Sequence, residues 1–188
     1  MEKKYNPQVH HRRSIRLRGY DYSQAGLYFI TICTHERGCL FGEIIMQDMQ
    51  YVMILNDAGK IAQEYWLQIP NHFPNTILHE YIIMPNHVHG IIELTTVGVQ
   101  NFEPLHETRQ NQFQKIIPRS IGSIVRGYKT GVTKWFRTTR SEDFPSQRAV
   151  WQRNFYEHII RNEKSHQTIS EYIIDNPAEW PDDKFYVA

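Results

Sequence analysis

Cysteine is nearly absent from this chain of 188 residues, which contains only Cys33 and Cys39. Their spacing fits neither a paired zinc motif nor a disulfide framework, so we assign them no role. Long apolar runs are also missing, because no stretch approaches the roughly 20 residues that a membrane span needs. The positive charges at the N-terminus precede no apolar segment, which argues against a secretory signal. We therefore expect a soluble, cytoplasmic protein without a membrane partner.

Net charge is close to zero, at +1, which excludes a uniformly basic nucleic-acid binder. The positive residues are nevertheless clustered, since the segments 10–18 and 119–140 contain no acid. Aromatic residues lie among or beside them, a pattern that predicts contacts with phosphates and bases, although a solvated helix face and a disordered arm fit the composition equally well. The candidate DNA-binding residues are Arg12, Arg13, Arg16, Arg18, Arg126, Lys129, Lys134 and Arg137.

The length suits a single domain over residues 1–188, with a basic arm at 1–26, an exposed polar loop at 95–118 and a tail at 177–188. Apolar periodicity and capping residues predict the secondary structure. The expected strands are 27–34, 76–83, 87–94 and a short one at 149–152, and the expected helices are 56–69, ended by Pro70, 121–136 and 161–176. Strands 76–83 and 87–94 should form a hairpin through Met84-Pro85-Asn86. This order predicts an α+β fold with an antiparallel sheet and helices on one face.

Two histidines interrupt the most apolar run of the chain, "YIIMPNHVHGII". In a strand, His87 and His89 project from the same face, so their rings could share a metal ion or a phosphate. Two imidazoles alone make a weak metal site, so a further ligand is needed from elsewhere in the fold. The alternative interpretation is that both are structural histidines with hydrogen-bond partners, although burying two polar rings without a function is unfavourable.

The segment "ISEYIIDNP" near the C-terminus places Tyr172 and Asn176 one turn apart on the same helix face. A phenol and an amide oxygen at this spacing offer a nucleophile beside a metal ligand. The alternative is a packed tyrosine followed by an asparagine that suits a helix end before proline. Tyr128 and Tyr156 compete for the role of nucleophile, Tyr156 because an acid and a base follow it directly.

Together these stretches resemble the single-tyrosine HUH transposases, specifically the REP-associated tyrosine transposase branch. The resemblance rests on H-V-H after Met84-Pro85-Asn86, on "YIIDNP", and on "RRSIRLRGYDYSQAGLYFITICTHERGCLFGEI", "SIVRGYKTGVTKWFR" and "VWQRNFYEHIIRNEKS". It implies a ferredoxin-like α+β domain whose central strand carries the histidine pair. It also implies that the chain is an enzyme that cuts single-stranded DNA at hairpin-forming repeats through a covalent 5′-phosphotyrosine.

Carried over to this sequence, the resemblance makes His87 and His89 ligands of a magnesium or manganese ion and Tyr172 the nucleophile. Asn176 occupies a position where related transposases use a glutamine as third ligand, so it keeps the amide oxygen on a shorter arm. From charge clustering alone, the arginines of the arm are predicted to read the strand beside the hairpin, and Lys129, Lys134 and Arg137 to contact phosphates of the stem. A homodimer and a monomer both remain open, because the wider family contains both.

Two other classes of function are compatible with parts of the sequence. A non-catalytic module on the same fold could bind single-stranded DNA or RNA by stacking. A phosphoesterase that activates water would need more carboxylate ligands than the sequence offers. The joint presence of H-V-H and Tyr-x-x-x-Asn favours the tyrosine enzyme.

Overall fold

The computed structural model describes residues 20–96, 117–139, 144 and 149–186. Six strands and four α-helices lie in these ranges. The strands are β1 (Gly26–Cys33), β2 (Gly42–Gln47), β3 (Gln50–Leu55), β4 (Thr76–Ile83), β5 (His87–Leu94) and β6 (Tyr156–Ile160). The helices are α1 (Asp57–Leu67), α2 (Ile69–His72), α3 (Ile121–Thr139) and α4 (Glu163–Asp175).

Four of the strands form one antiparallel sheet in the order β4-β5-β1-β6. With α1 before β4 and α3 before β6, this is the ferredoxin-like arrangement, and the predicted α+β class is confirmed. The hairpin of β4 and β5 through Met84-Pro85-Asn86 is also confirmed, and β5 lies in the interior of the sheet with a partner on each side. Within the described ranges, no helix combines the length and apolar character that crossing a membrane requires.

Strand β5 separates two cores because its alternate residues face opposite sides of the sheet. Val88, Ile92 and their neighbours pack with α1 and α3 in the main core. Ile91 faces the other side, where it packs with Phe29 and with Ile173 of α4. Helices α1 and α3 share one face as predicted, whereas α4 crosses the opposite face, which also carries the histidine pair. The prediction that the helices lie on one face is therefore wrong for α4, because its buried Ile173 packs on Phe29 and Ile91.

Gly90, directly after the histidine pair, is required by the helix layer behind the sheet. A Cβ atom there would collide with the indole of Trp66 on α1. A close approach of α1 to α3 likewise requires glycine at position 131. A Cβ there would lie 2.6 Å from the ring of Tyr65 on α1. Contact between the helices outweighs the low intrinsic helix propensity of glycine.

The structure differs from the predicted elements in three places. Strands β2 and β3 form a separate hairpin that we did not predict. Pro70 does not end a helix but lies in the first turn of α2, where its missing N–H costs nothing. The strand predicted at 149–152 is wrong, because only Trp151 makes an isolated bridge, to Thr34, and the edge strand is β6.

Some predictions lie outside the described residues. They are the DNA contacts of Arg12, Arg13, Arg16 and Arg18, and most of the basic arm and of the loop at 95–118.

Candidate active site

The two histidines of β5 lie side by side in the interior of the protein. Both are fully buried, and their ring centroids are 4.4 Å apart. They point to the α4 face because they are two residues apart on one strand, whereas Val88 between them points into the main core. The predicted convergence of the two imidazoles is therefore present.

The ring of His87 is oriented by its neighbour Asn86. The Nδ1 atom of His87 is 2.9 Å from Oδ1 of Asn86. The amide nitrogen of Asn86 donates to the carbonyl oxygens of Phe185 and Arg37, at 2.7 and 3.2 Å, so its Oδ1 must accept from the histidine. Nδ1 of His87 therefore carries the proton, and its Nε2 keeps a free lone pair. That Nε2 is buried and has no hydrogen-bond partner.

His89 is held between β1 and α4. Its Nδ1 lies 2.9 Å from Oγ1 of Thr31, the residue directly opposite it on β1. Its Nε2 lies 3.2 Å from the hydroxyl of Tyr172. When Nδ1 of His89 carries the ring proton, the phenol of Tyr172 donates to the unprotonated Nε2. The nucleophile candidate thus contacts one of the two candidate metal ligands directly.

Asn176, the last residue predicted for the site, caps α4 and is almost completely buried. Its amide nitrogen donates to Oδ2 of Asp183 at 3.1 Å, which fixes the amide so that Oδ1 points away from that carboxylate. Oδ1 of Asn176 is buried and unpartnered, like Nε2 of His87. Leaving such atoms without partners is costly, and sites of this kind are often ligand sites.

The electrostatics of the pocket keep both histidines neutral. Burial lowers the pKa of His87 to about 4, although Asp183 and Asn176 oppose that shift. Burial, and then the neighbouring His87, holds the pKa of His89 well below its ordinary value of 6.5. Burial and then Asp183 raise the pKa of Tyr172, whereas Asn176 lowers it. Near neutral pH the pocket thus contains two imidazole lone pairs and a protonated phenol.

These atoms fit a divalent metal ion. Two neutral imidazole nitrogens and one amide oxygen are donors that such ions accept, and two of the three have no other partner. Each imidazole has its second nitrogen held by Asn86 or Thr31, as metal-binding histidines usually do.

Residues 180–186, which we call the C-terminal cover, close the pocket. The ring of Phe185 lies 4.6 Å from the ring of His87 and 5.8 Å from that of His89, measured between centroids. The guanidinium of Arg37 donates to the carbonyl of Lys184 at 2.7 Å, and both cations lie over the Phe185 ring. Because both histidines are fully buried, a ligand from solvent reaches them only if part of the pocket moves.

The competing tyrosines are placed differently. Tyr128 is buried in the main core, on the other side of the sheet, and burial raises the pKa of its phenol. Tyr156 lies on the edge strand β6, partly exposed, with its ring against Phe29. Only Tyr172 of these three reaches His89.

A basic groove of about 890 Å³ runs along α3, and four candidate DNA-binding residues line it: Arg126, Lys129, Lys134 and Arg137. Arg153 and Phe155 line the same groove. Lys129 is less available than the other three, because its ammonium donates to the carbonyls of Gln152 and Asn154. Burial lowers the pKa of Lys129 to about 8.

Sequence reasoning missed four residues of the pocket: Thr31, Asn86, Asp183 and Phe185. The asparagine could have been suspected because it precedes the histidine pair directly. Thr31 is recognisable only once β1 is paired with β5. Nothing in the sequence indicates that Asp183 and Phe185 return to the pocket.

Comparisons with known proteins point to the same family that the sequence resembles. The chain is 50% identical to an "Uncharacterized protein" of Haemophilus influenzae, over all of this chain and 99% of the relative. It is 23% identical to a "Putative REP-associated tyrosine transposase" of the same organism, over 88% of this chain and 83% of that protein. Among solved structures, a REP-associated tyrosine transposase bound to a REP hairpin matches with a TM-score of 0.56 at 19% identity, over 89% of this chain and 74% of that one. No protein-family model matches the sequence.

Proposed function

This chain belongs to the same family as its uncharacterized Haemophilus influenzae relative and is distantly homologous to a putative REP-associated tyrosine transposase; on that premise, we propose that it is a metal-dependent endonuclease and strand transferase of single-stranded DNA. Hairpin-forming repeats are the proposed substrate, by analogy with the structural neighbour bound to a REP hairpin. The observation that carries the proposal is the meeting of four predicted residues in one pocket, where Tyr172 contacts His89 and Asn176 lies against His87 and Tyr172.

In this proposal, Nε2 of His87, Nε2 of His89 and Oδ1 of Asn176 would hold a magnesium or manganese ion. The bound ion would polarise the scissile phosphate and stabilise the negative charge of the transition state. Asn86 and Thr31 act through the histidines, because each fixes the orientation of one imidazole ring.

Tyr172 is the proposed nucleophile. Its oxygen bonds to the phosphorus, the bond from phosphorus to the 3′-oxygen breaks, and the leaving 3′-oxygen takes a proton from water. The products are a 5′-phosphotyrosine and a free 3′-hydroxyl. The phenol must first lose its proton to solvent, and departure of Asp183 with the C-terminal cover removes one cause that raises its pKa. A phenolate is a better leaving group than an alkoxide, so the covalent link remains competent for strand transfer.

The α3 groove is the proposed binding surface for DNA phosphates. Arg126, Lys134 and Arg137 line it with exposed guanidinium or ammonium groups. Arg16 and Arg18 of the arm are proposed to contact the strand beside the hairpin, as their clustered charge suggests.

The decisive experiment uses one hairpin oligonucleotide labelled at either its 5′ or its 3′ end, incubated with the full chain and Mn²⁺. The proposal expects a covalent protein–DNA band with the 3′ label and a released, shortened fragment with the 5′ label. Tyr172→Phe should remove both products, whereas Tyr156→Phe, the same change on the same face of the sheet, should retain them. Binding that disappears in denaturant with either label would instead support the non-catalytic module.

A further inference from the structure

A second group of potential metal ligands lies at the opposite end of α4 from Tyr172. It consists of His79 and Glu80 on β4 and His166 in the first turns of α4. One ligand atom from each of these residues lies within 4.8 Å of those of the other two. All three side chains are partly buried.

A bulge in β4 explains how two consecutive residues contribute to one site. Leu78 pairs with Ile92 and Tyr81 pairs with Gly90, so β4 has one residue more than β5 between these pairs. Consecutive side chains of a regular strand point to opposite faces, and the bulge relaxes that alternation. Glu80 accordingly accepts a hydrogen bond from Ser170 of α4 at 3.0 Å, and the ring of His79 lies 5.3 Å from the ring of His166.

His166 has a free nitrogen that is directed at Glu80. Its Nε2 is buried, has no hydrogen-bond partner and lies 3.9 Å from Oε2 of Glu80. That distance is too long for a hydrogen bond. Two ligand atoms that are each about 2 Å from a tetrahedral zinc ion lie roughly 3.3 Å apart, so a shift of well under 1 Å would bring both into range.

Glu93, a further polar residue of this region, orients the ring of His79. The Nε2–H of His79 donates to Oε2 of Glu93 at 2.9 Å. A carboxylate on a ligand histidine is the usual outer partner in zinc sites. Glu80 is suited to be the anionic ligand, because its own backbone hydrogen bond, and then that of Ser170, lowers its pKa.

We propose that His79, Glu80 and His166 form a second, zinc-type divalent metal site, with Glu93 as the group that orients His79. Two histidines and one carboxylate are a donor set that zinc accepts, with one coordination position open to water. This proposal does not depend on the transposase-like function, because it concerns binding by different residues.

The site would fasten the start of α4 to the sheet. Only Ile173 of α4 is completely buried, so few apolar contacts hold this helix. Tyr172 follows His166 by six residues, about 9 Å along the helix axis. A metal ion bridging β4 and α4 would thus limit the movement of the helix that carries the nucleophile candidate.

The test measures Zn²⁺ binding by calorimetry on the full chain, with Co²⁺ absorption as a second probe. A His87→Ala/His89→Ala variant removes the paired histidines, and it should still bind one Zn²⁺ per chain and gain several degrees in Tm. Adding Glu80→Gln, which keeps the size and the acceptor for Ser170, should weaken binding by more than about tenfold. Adding His166→Ala should do the same, and Glu171→Gln on the same helix should leave the affinity unchanged.

The otherwise native chain provides an independent check should the double histidine variant unfold. There, Glu80→Gln should weaken one Zn²⁺ binding event by more than about tenfold and leave binding at the paired histidines unchanged. Unchanged stoichiometry and affinity in the Glu80→Gln and His166→Ala proteins would overturn the proposal. So would an absence of Zn²⁺ binding by a folded His87→Ala/His89→Ala protein.

Discussion

Replacing Phe185 with alanine should open the candidate active site. The phenyl ring packs on His87 and His89 and lies under two cations, Arg37 and Lys184. Exposed cation–π contacts contribute about 0.5–1 kcal/mol each, and a packed ring pair contributes a similar amount. The substitution thus removes roughly 2 kcal/mol from the closed state, which corresponds to about a 30-fold change in the equilibrium between closed and open pockets.

Two assays measure this change, one of them independent of catalysis. We expect Mn²⁺ to bind only the open state, because the candidate ligand atoms of His87 and Asn176 are buried beneath the cover. Its dissociation constant should therefore fall by about 10- to 30-fold when the closed fraction decreases. Single-turnover cleavage of a hairpin oligonucleotide should accelerate by a similar factor. Tyr186→Ala is the control from the same segment, because its ring packs on Trp180, which lies between it and His87, and both quantities should change much less than in Phe185→Ala. Unchanged or weaker Mn²⁺ binding by a folded Phe185→Ala protein would show that the phenyl ring does not hold the pocket closed.

Three further predictions concern the pocket and the groove. Between pH 6.5 and pH 4 the metal-free protein should lose about 3 kcal/mol of unfolding free energy through His87, because this histidine takes up a proton more readily in the unfolded state than in the folded state. Urea titrations across this range should show unfolding free energy falling with pH, and His87→Ala should make that fall smaller. Asn176→Ala should weaken Mn²⁺ binding by about 10- to 100-fold in calorimetry, and unchanged affinity would exclude Oδ1 as a ligand. Lys134→Ala should reduce the slope of log binding constant against log salt concentration by about 0.9 for DNA binding. Lys129→Ala should leave that slope unchanged but destabilise the fold by about 1–3 kcal/mol, because the carbonyls of Gln152 and Asn154 lose their donor.

The elements that carry the pocket were predictable because local rules determine them. Strand β5 has both the β-branched composition of a buried strand and a turn before it, and its observed bounds are those predicted. Helix α4 starts at Asn162, whose side chain accepts from the backbone N–H of Ser165, as the capping signal indicates. The period of a strand and the period of a helix then place the histidine pair on one face and Tyr172 one turn from Asn176.

What the sequence did not reveal depends on contacts between distant segments. Phe185 contacts His87 although 98 positions separate them in the chain, and no local sequence pattern predicts that contact. Strand β6 was missed because "YEHII" is short and mixes polar with apolar residues, so only its pairing with β1 identifies it. The bulge that turns both His79 and Glu80 toward α4 likewise follows from register, not from composition.

The proposed chemistry depends first on Tyr172 being the nucleophile. Its most direct test is mass spectrometry of the proteolysed complex, after reaction of the full chain with a hairpin oligonucleotide and Mn²⁺. The peptide that contains Tyr172 should carry a 5′-phosphorylated nucleotide on that residue, and this modified peptide should be absent from the Tyr172→Phe protein. An adduct on Tyr156, or cleaved DNA with a free 5′-phosphate and no modified peptide, would contradict it.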